Sequence, residues 1–281
     1  MKYSVAFSHT SGFSLIELVV AIIVLSILSA SAAIILRGPI TSYFDVERRS
    51  GLSDAGELSM AKLTLELSGA VPNSVRVTTV GPNVYIEFLP IRSSGRYRIA
   101  APGNPLNFGV PDTGFDVLGP AVNVVAGDAI TINDQAGINV WNGAARADGP
   151  TAGNGLTTIV YPAKTLTIDS QEHRFQVAMP PVTYVCAPVA GGTGTLTRYS
   201  GYAIAAVQPT NVLAPPLSTA PLISPLAGKL SSCAATAYPL PTGPVQRRLA
   251  QLVTFSLGFE DPSQADETLN LYHTVRLEAL P

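Results

Sequence analysis

Charged side chains are scarce in this chain of 281 residues. They make up 13 % of it, about half of the usual ~25 %, and 17 Lys and Arg face 19 Asp and Glu. A chain so close to neutrality lacks a basic surface that could neutralise phosphates, which excludes general nucleic-acid binding. Hydrophobic residues make up 47 % of the chain, too many for a disordered protein. The chain must therefore bury a large core or place part of itself in lipid.

Cysteine is also rare, and the familiar catalytic motifs are missing. Two cysteines are too few for a disulfide framework or a four-cysteine zinc site. The sequence has no G-x-S-x-G, H-E-x-x-H or Walker motif. His173 follows the acid Asp169 and the nucleophile Ser170, but we predict a strand at residues 173–178, where neighbouring side chains point to opposite faces. We expect no enzymatic activity, no cofactor and no metal site.

One long hydrophobic run stands out against this background. This run covers residues 13–36, a length of 24 residues, and Glu17 is its single charged residue. As a helix this run spans about 36 Å, enough to cross a hydrocarbon core of about 30 Å. No good A-x-A cleavage site follows Leu36, so hydropathy alone favours an uncleaved signal anchor over a secretory signal peptide.

Glu17 argues against a plain anchor. A carboxylate in a membrane helix costs up to roughly 3 kcal/mol, so something must compensate it. The surrounding sequence, Gly12-Phe13-Ser14-Leu15-Ile16-Glu17-Leu18, resembles the prepilin processing motif of type IV pilins and type II secretion pseudopilins. The resemblance implies that a prepilin peptidase cuts after Gly12, that Phe13 becomes the methylated first residue, and that Glu17 is the fifth-position glutamate. Ser14 stands where threonine is commoner in the family.

Physical chemistry agrees with an assembly role for Glu17. Cleavage would leave a cationic amino group on Phe13, and the glutamate of an adjacent subunit could sit beside it. At about 4 Å and an effective dielectric near 20, such a pair is worth about 4 kcal/mol, comparable with the burial cost. The helix dipole alone supplies only about 0.3 to 1 kcal/mol. We therefore predict that Glu17 is the charge partner in a filament.

The apolar run predicts the start of a longer helix. Leucines 52, 63 and 67 with Gly56 and Met60 follow helical spacing, so we expect a helix over residues 13–68 with its membrane-spanning part at 13–36. Gly38 and Pro39 predict a kink or a short unwound stretch, because proline removes one hydrogen bond of the helix. Residues 1–12 form the leader in this scheme, and residues 69–281 an extracytoplasmic head.

The head is predicted to be rich in β-structure, which makes the fold α+β: a long helix packed on a mostly antiparallel sheet with long loops. Residues 74–80 and 84–89 predict a hairpin that residues 97–100 extend. Residues 101–155 are predicted as loops with one or two short strands, and the proline-dense residues 209–244 as an irregular surface excursion. Further strands are expected at residues 156–161, 173–178, 182–186, 195–199, 202–206, 252–259 and 269–277.

The two cysteines can form one bridge. Cys186 ends a predicted strand, and Cys233 lies in the predicted excursion. Because an exported head meets an oxidising compartment, we favour a disulfide over two free thiols. Closing a loop of about 48 residues would be worth up to roughly 4 kcal/mol by chain entropy.

Several stretches beyond the helix resemble a narrower group, the MshO-type minor pilins of the mannose-sensitive haemagglutinin (MSHA) pilus, similar in layout to J-type pseudopilins. They are residues 71–77, 180–186, 201–204 and 272–277. The resemblance implies a single-pass inner-membrane protein with its N-terminus in the cytoplasm and its head in the periplasm, which later enters a pilus on the cell surface. Its partners would be other major and minor pilins, prepilin peptidase and the inner-membrane assembly platform. A type II secretion J-like pseudopilin and a pilus-tip adhesin are the alternatives.

Overall fold

The computed structural model describes residues 12, 14–132, 139–170, 172–238 and 251–277. The chain divides into two compact units, one up to Gly51 and one from Leu52 onwards. A single helix, α1, spans Leu15–Ser68 and so contributes to both units. Phe13 lies outside the described residues. The prediction of one long apolar N-terminal helix and a β-rich head is confirmed.

Helix α1 begins after Ser14 and continues without a break through Gly38 and Pro39. The Ser14 carbonyl accepts hydrogen bonds from the backbone N–H groups of Glu17 at 3.0 Å and Leu18 at 3.1 Å, which starts the first turn. Helical backbone runs through Pro39 without interruption, so the structure does not contain the unwound stretch offered as one alternative at Gly38 and Pro39. The Thr41 hydroxyl donates to the carbonyl of Gly38 at 2.9 Å. A kink there stays a prediction.

The described part of the head contains fifteen strands in antiparallel pairs. They are β1 Arg76–Val80, β2 Asn83–Phe88, β3 Ile91–Tyr97, β4 Pro111–Leu118, β5 Val122–Val124, β6 Ala129–Thr131, β7 Arg146–Asp148, β8 Gly153–Leu156, β9 Thr158–Thr165, β10 Arg174–Ala178, β11 Val182–Ala187, β12 Gly194–Ser200, β13 Leu222–Tyr238, β14 Gln251–Asp261 and β15 Gln264–Leu277.

A seven-stranded sheet carries the core of the head. Its strand order is β1-β2-β11-β12-β13-β14-β15, and the predicted hairpin is confirmed as β1 and β2. The inner face of the sheet and the C-terminal part of α1 share one apolar core, to which the helix contributes Leu52, Met60, Leu63 and Leu67. The helical stripe read from the sequence is therefore the face that packs on the sheet.

The prediction of an irregular excursion at residues 209–244 is wrong for a large part of that range. Residues Leu222–Tyr238 form β13, a 17-residue strand in the interior of the sheet. The prolines cluster before and after this strand, and Pro225 inside it lies where the pairing with β12 shifts register. Proline density averaged over the whole range concealed a strand between two proline-rich flanks. Residues 239–244 lie outside the described part of the chain.

The disulfide between Cys186 and Cys233 is present and joins two strands of this curled sheet. Cys186 is buried in β11, and Cys233 belongs to β13 rather than to a loop. Strand β12 lies between them in the sheet order, yet their Cα atoms are 6.4 Å apart. Two strands separated by a third in a flat sheet would lie about 9.5 Å apart. The disulfide therefore stabilises the curled shape of the sheet and does not hold a loop in place.

A second sheet occupies the region predicted as loops. Six strands in the order β7-β6-β10-β3-β4-β9 enclose their own apolar core, in which the rings of Phe115 and Phe175 lie 4.9 Å apart. The prediction of one or two short strands in residues 101–155 was too low, because β4, β5, β6 and β7 lie within this range and β8 begins in it. Residues 97–100 do not extend the first hairpin either, since Tyr97 ends β3 in this second sheet.

Most of the later strand predictions are confirmed, and one is wrong. Strands β9, β10, β11, β12, β14 and β15 lie at or beside their predicted positions. Residues 202–206 form an irregular segment instead of a strand. The carbonyl groups of Ala205 and Ala206 accept hydrogen bonds from the Arg76 guanidinium at 2.9 and 2.7 Å, so a side chain takes the place of a strand partner.

Gly56 allows the helix to approach the sheet closely, and a larger side chain there should destabilise the head. A Cβ at this position would lie 2.8 Å from the Leu271 side chain and 3.2 Å from Phe259. We expect Gly56→Leu to lower the free energy of unfolding by about 1 to 3 kcal/mol through overpacking. Gly51→Leu is the matched control, because no atom lies within 4 Å of a Cβ there. Thermal unfolding of the detergent-solubilised chain measures the stability of both variants. An equal loss of stability in the two variants would contradict the close packing of Gly56 against the sheet.

Candidate functional site

The first turn of α1 begins at Leu15 and contains Glu17. Gly12, Ser14 and Glu17 are exposed. Ser14 lies immediately before the first helical residue, which makes it the N-cap, and Glu17 is the third residue after it. This Ser-x-x-Glu spacing is that of a capping box, in which the glutamate reaches back towards the start of the helix. Glu17 is exposed, so its carboxylate is accessible in the single chain.

Helix α1 is apolar and uncovered in its N-terminal part, whereas its C-terminal part packs on the sheet of the head. Its most hydrophobic 18-residue window has a mean hydropathy of 2.8, and none of that window is buried. It is the one described helix long and apolar enough to cross a membrane by length and composition. Tyr43 and Phe44 lie in α1 after the apolar run of residues 13–36, and their ring centroids are 5.8 Å apart. Aromatic residues are typical of the interface between membrane and water. An apolar surface of this length needs lipid or other helices around it.

Comparison with known families bears on the same segment. Residues 7–33 match the family described as the prokaryotic N-terminal methylation motif. The chain carries the prepilin-type cleavage and methylation motif. This match indicates a type IV pilin-like or pseudopilin-like protein, a structural role rather than a catalytic one, processing by prepilin peptidase and anchoring in a membrane. No curated protein and no solved structure matches the chain.

The match spans the three residues predicted to act in processing and assembly. Gly12, Phe13 and Glu17 all fall within residues 7–33. Their individual roles in cleavage, methylation and charge pairing stay predictions. Gly38, Pro39 and the two cysteines lie outside the matched residues. The resemblance to MshO-type minor pilins likewise stays a proposal.

The head contains a buried ionic network that sequence reasoning did not find. Glu87 is fully buried, and its carboxylate accepts hydrogen bonds from Arg76 Nε at 2.6 Å and from the Tyr202 hydroxyl at 2.8 Å. The Arg76 guanidinium also lies 3.7 Å from the ring centroid of Trp141, which is itself buried and donates to the Ser74 carbonyl at 3.0 Å. Trp141 is therefore part of the core and not an exposed binding residue.

Burial decides the ionisation of this network. Desolvation raises the pKa of Glu87 above its ordinary value of 4.5, against the opposing effect of Arg76 and Tyr202. Burial and the neighbouring Glu87 carboxylate raise the pKa of Tyr202, which keeps its hydroxyl protonated as the donor. The sequence contained one signal for the pairing of Arg76 with Glu87. The two residues are cross-strand partners in β1 and β2, and these strands form the predicted hairpin. The network therefore holds the segment around Tyr202 against β1 and β2.

Removing Arg76 should destabilise the head strongly and in a pH-dependent way. In Arg76→Met the buried carboxylate of Glu87 loses its charged partner, and we expect a loss of about 3 to 5 kcal/mol. Burial raises the pKa of Glu87 in the folded state, so protonation of Glu87 stabilises the fold most below pH 4.5, and this contribution is lost as the pH rises through the folded-state pKa. Arg76 lowers this pKa, so removing Arg76 raises it further, and the folded variant can relieve its unpaired charge by binding a proton at low pH but not at high pH. The loss should therefore be larger at pH 8 than at pH 5 in urea unfolding.

Two further variants test the cause. Arg76→Met combined with Glu87→Gln should recover a large part of the stability, because no buried charge remains. Arg96→Met is the surface control, since Arg96 is exposed and its side chain donates to the Glu172 carbonyl at 3.0 Å. We expect a change within about 0.5 kcal/mol. Equal losses in Arg76→Met and Arg96→Met would contradict the network.

The geometry around His173 differs from the prediction. The described residues 166–170, 172 and 173 precede β10 and belong to no strand. Asp169 and His173 therefore lie together instead of on opposite faces, with Asp169 Oδ1 3.4 Å from His173 Nδ1. The same carboxylate oxygen accepts a short hydrogen bond from the Tyr97 hydroxyl. The Ser170 hydroxyl accepts from the backbone N–H of Arg174 at 3.3 Å, as in a turn. Within the described residues, no group of three or more His, Cys, Asp or Glu side chains could hold a metal ion.

Proposed function

We propose that this protein is a minor pilin of a type IV, MSHA-like pilus, cut by prepilin peptidase after Gly12 and inserted at low copy to prime or support filament assembly. The observation that carries the proposal is the methylation motif in residues 7–33 followed by an uncovered apolar helix. The helix would hold the precursor in the inner membrane, with its N-terminus in the cytoplasm and its head in the periplasm. Assembly would then carry it to the cell surface.

The proposed chemistry of assembly is a charge pairing in an apolar environment. Glu17 is the sole charged residue of the run 13–36, and it lies in the first turn of the exposed helix. A cationic, methylated Phe13 of an adjacent pilin would neutralise it as the helices pack. The pair draws subunits together because each unpaired carboxylate remains costly in the membrane.

A minor rather than a major role follows from the size of the head. Residues 69–281 leave 213 residues after the helix, and their described part forms three sheets, of which the two larger ones have separate cores. A head of this bulk is difficult to repeat along a thin filament. The proposed partners are other major and minor pilins and the inner-membrane assembly platform.

A strain that lacks the protein tests this function. We expect surface pili to fall in number, and complementation with the full chain to restore them. Unchanged pili with loss of an exported enzyme from the medium would instead assign the chain to a type II secretion system. Normal pili that no longer attach to a surface would assign it to adhesion. Labelling of the head along sheared pili then measures its copy number.

A further inference from the structure

We propose that Asn142 is a site of spontaneous deamidation in the folded head, where its side-chain amide is converted to a carboxylate. The reaction needs water and no enzyme or cofactor. It is a covalent change within the head and is independent of the cleavage and pairing proposed above.

An asparagine that is followed by glycine can react with its own backbone. The backbone nitrogen of the glycine bonds to Cγ of the asparagine, the Cγ–Nδ2 bond breaks, and ammonia leaves with the proton of the attacking nitrogen. Glycine permits this close approach because it has no Cβ. The sequence contains this pair twice, as Asn142-Gly143 and as Asn154-Gly155. The two sites can therefore be compared within one chain.

Water then opens the cyclic imide that this step forms. Addition of water at Cγ breaks the new bond and leaves an aspartate. Addition at the main-chain carbonyl carbon breaks the original peptide bond and leaves an isoaspartate, in which the backbone runs through Cβ and Cγ. Either product has gained a carboxylate and lost an amide, so the head becomes more negative.

The turn that precedes β7 holds the Asn142 side chain in a conformation that favours the attack. Asn142 is exposed in this turn. The backbone N–H of Ala144 donates to Asn142 Oδ1 at 2.9 Å. This hydrogen bond keeps the side-chain amide beside the backbone of Gly143. It also stabilises the negative charge that develops on Oδ1 when the nitrogen attacks Cγ.

The attacking nitrogen of Gly143 is held only weakly. It lies 3.4 Å from the carbonyl oxygen of Val140, whereas hydrogen bonds of this kind usually measure about 2.7 to 3.2 Å. The φ angle of Gly143 is +79°, a backbone conformation that glycine adopts without strain. Little is therefore lost when this nitrogen turns towards the side chain of Asn142.

The second site has the same two residues but a different environment. Asn154 lies in β8, and the N–H of Gly155 donates to Asn123 Oδ1 at 2.9 Å. Attack by this nitrogen would first break that hydrogen bond. A tenfold difference in rate corresponds to about 1.4 kcal/mol, the size of one hydrogen bond. We therefore expect Asn154 to be protected in the fold and Asn142 to react.

Conversion of Asn142 would act on the buried network of the head. The preceding residue, Trp141, is buried and donates to the Ser74 carbonyl at 3.0 Å. The Arg76 guanidinium lies 3.7 Å from the ring centroid of Trp141. An isoaspartate lengthens the backbone directly after Trp141, at the end of the segment that places this ring.

Mass spectrometry of the purified full chain in detergent, incubated at pH 8, tests the proposal. Trypsin cuts after Arg146 and therefore places the two sites in separate peptides. We expect Asn142 to be converted at least about tenfold faster than Asn154 in the folded chain. In urea the two rates should be closely similar, because both asparagines precede glycine. Equal rates in the folded chain would overturn the proposal, as would an Asn142 that stays intact for the time in which urea-unfolded chains are converted.

Removing the acceptor of the Gly155 N–H tests the physical cause. In Asn123→Ala we expect the rate at Asn154 to rise about tenfold, and the rate at Asn142 to be unchanged. Asn211→Ala is the matched control, because Asn211 Oδ1 accepts from the backbone N–H of Leu213 at 2.9 Å and contributes to neither site. It should leave both rates unchanged. An unchanged rate at Asn154 in Asn123→Ala would equally overturn the proposal, since hydrogen bonding would not set the difference.

Discussion

Replacing Gly12 with valine is expected to leave residues 1–12 on the chain. The proposed cleavage site lies after this glycine, within the matched residues 7–33, and a β-branched side chain would obstruct a peptidase that accepts a residue without one. Phe13 would then carry a neutral amide in place of a cationic amine, so the precursor would stay in the membrane and filaments would lack it. The mass of the chain purified from cells measures the result directly, because retention adds the full leader.

Ser14→Thr is the matched control for the Gly12 variant. It restores the small hydroxyl residue that is commoner at this position of the motif, and it keeps a side chain that can cap the helix. We expect normal cleavage and normal incorporation into pili. A processed N-terminus in Gly12→Val, or an intact Met1 in the unmodified protein, would show that the leader is not removed at this site.

The sequence predicted the architecture where one periodicity dominated a long segment. The helix over residues 13–68 and its buried stripe followed from hydrophobic spacing, and Gly56 fitted the stripe as the point of close approach. The hairpin at β1 and β2 followed from alternation around Gly81 and Pro82. In each case local pattern and tertiary packing favour the same conformation, which is why the prediction succeeded.

Prediction failed where tertiary packing overrode weak local signals. Strand β13 contains Ser, Ala, Gly and one Pro, which have low strand propensity, and it is held by two neighbouring strands and a disulfide. Strands β6 and β7 of the second sheet have only three residues each, and the sheet encloses an apolar core around Phe115 that joins residues distant in sequence. The hydrogen bond from Tyr202 to Glu87 joins residues 115 positions apart, a pairing that one sequence cannot reveal.

Exchanging Glu17 for glutamine is expected to prevent assembly while leaving the protein in the membrane. Glutamine keeps the size of the side chain and removes the charge, so the pair with the Phe13 amine of an adjacent subunit is lost. Such a pair is worth about 4 kcal/mol at about 4 Å and an effective dielectric near 20. Even a third of that energy corresponds to a tenfold change in an association constant. We therefore expect the amount of the protein in sheared pili to fall at least tenfold, and its amount in the membrane fraction to be unchanged.

The size of this effect separates charge pairing from a local role of Glu17. If the carboxylate only stabilised the first turn of α1, its loss would cost about 0.3 to 1 kcal/mol, at most about a fivefold change. Glu57→Gln is the matched control on the same helix, because Glu57 is exposed, lies outside the apolar run and accepts a hydrogen bond from Ser53 Oγ at 3.1 Å. It should assemble normally. Pili that contain Glu17→Gln at the level of Glu57→Gln would show that the carboxylate in the membrane finds no cation in the filament, and the assembly mechanism proposed for this chain would fail with it.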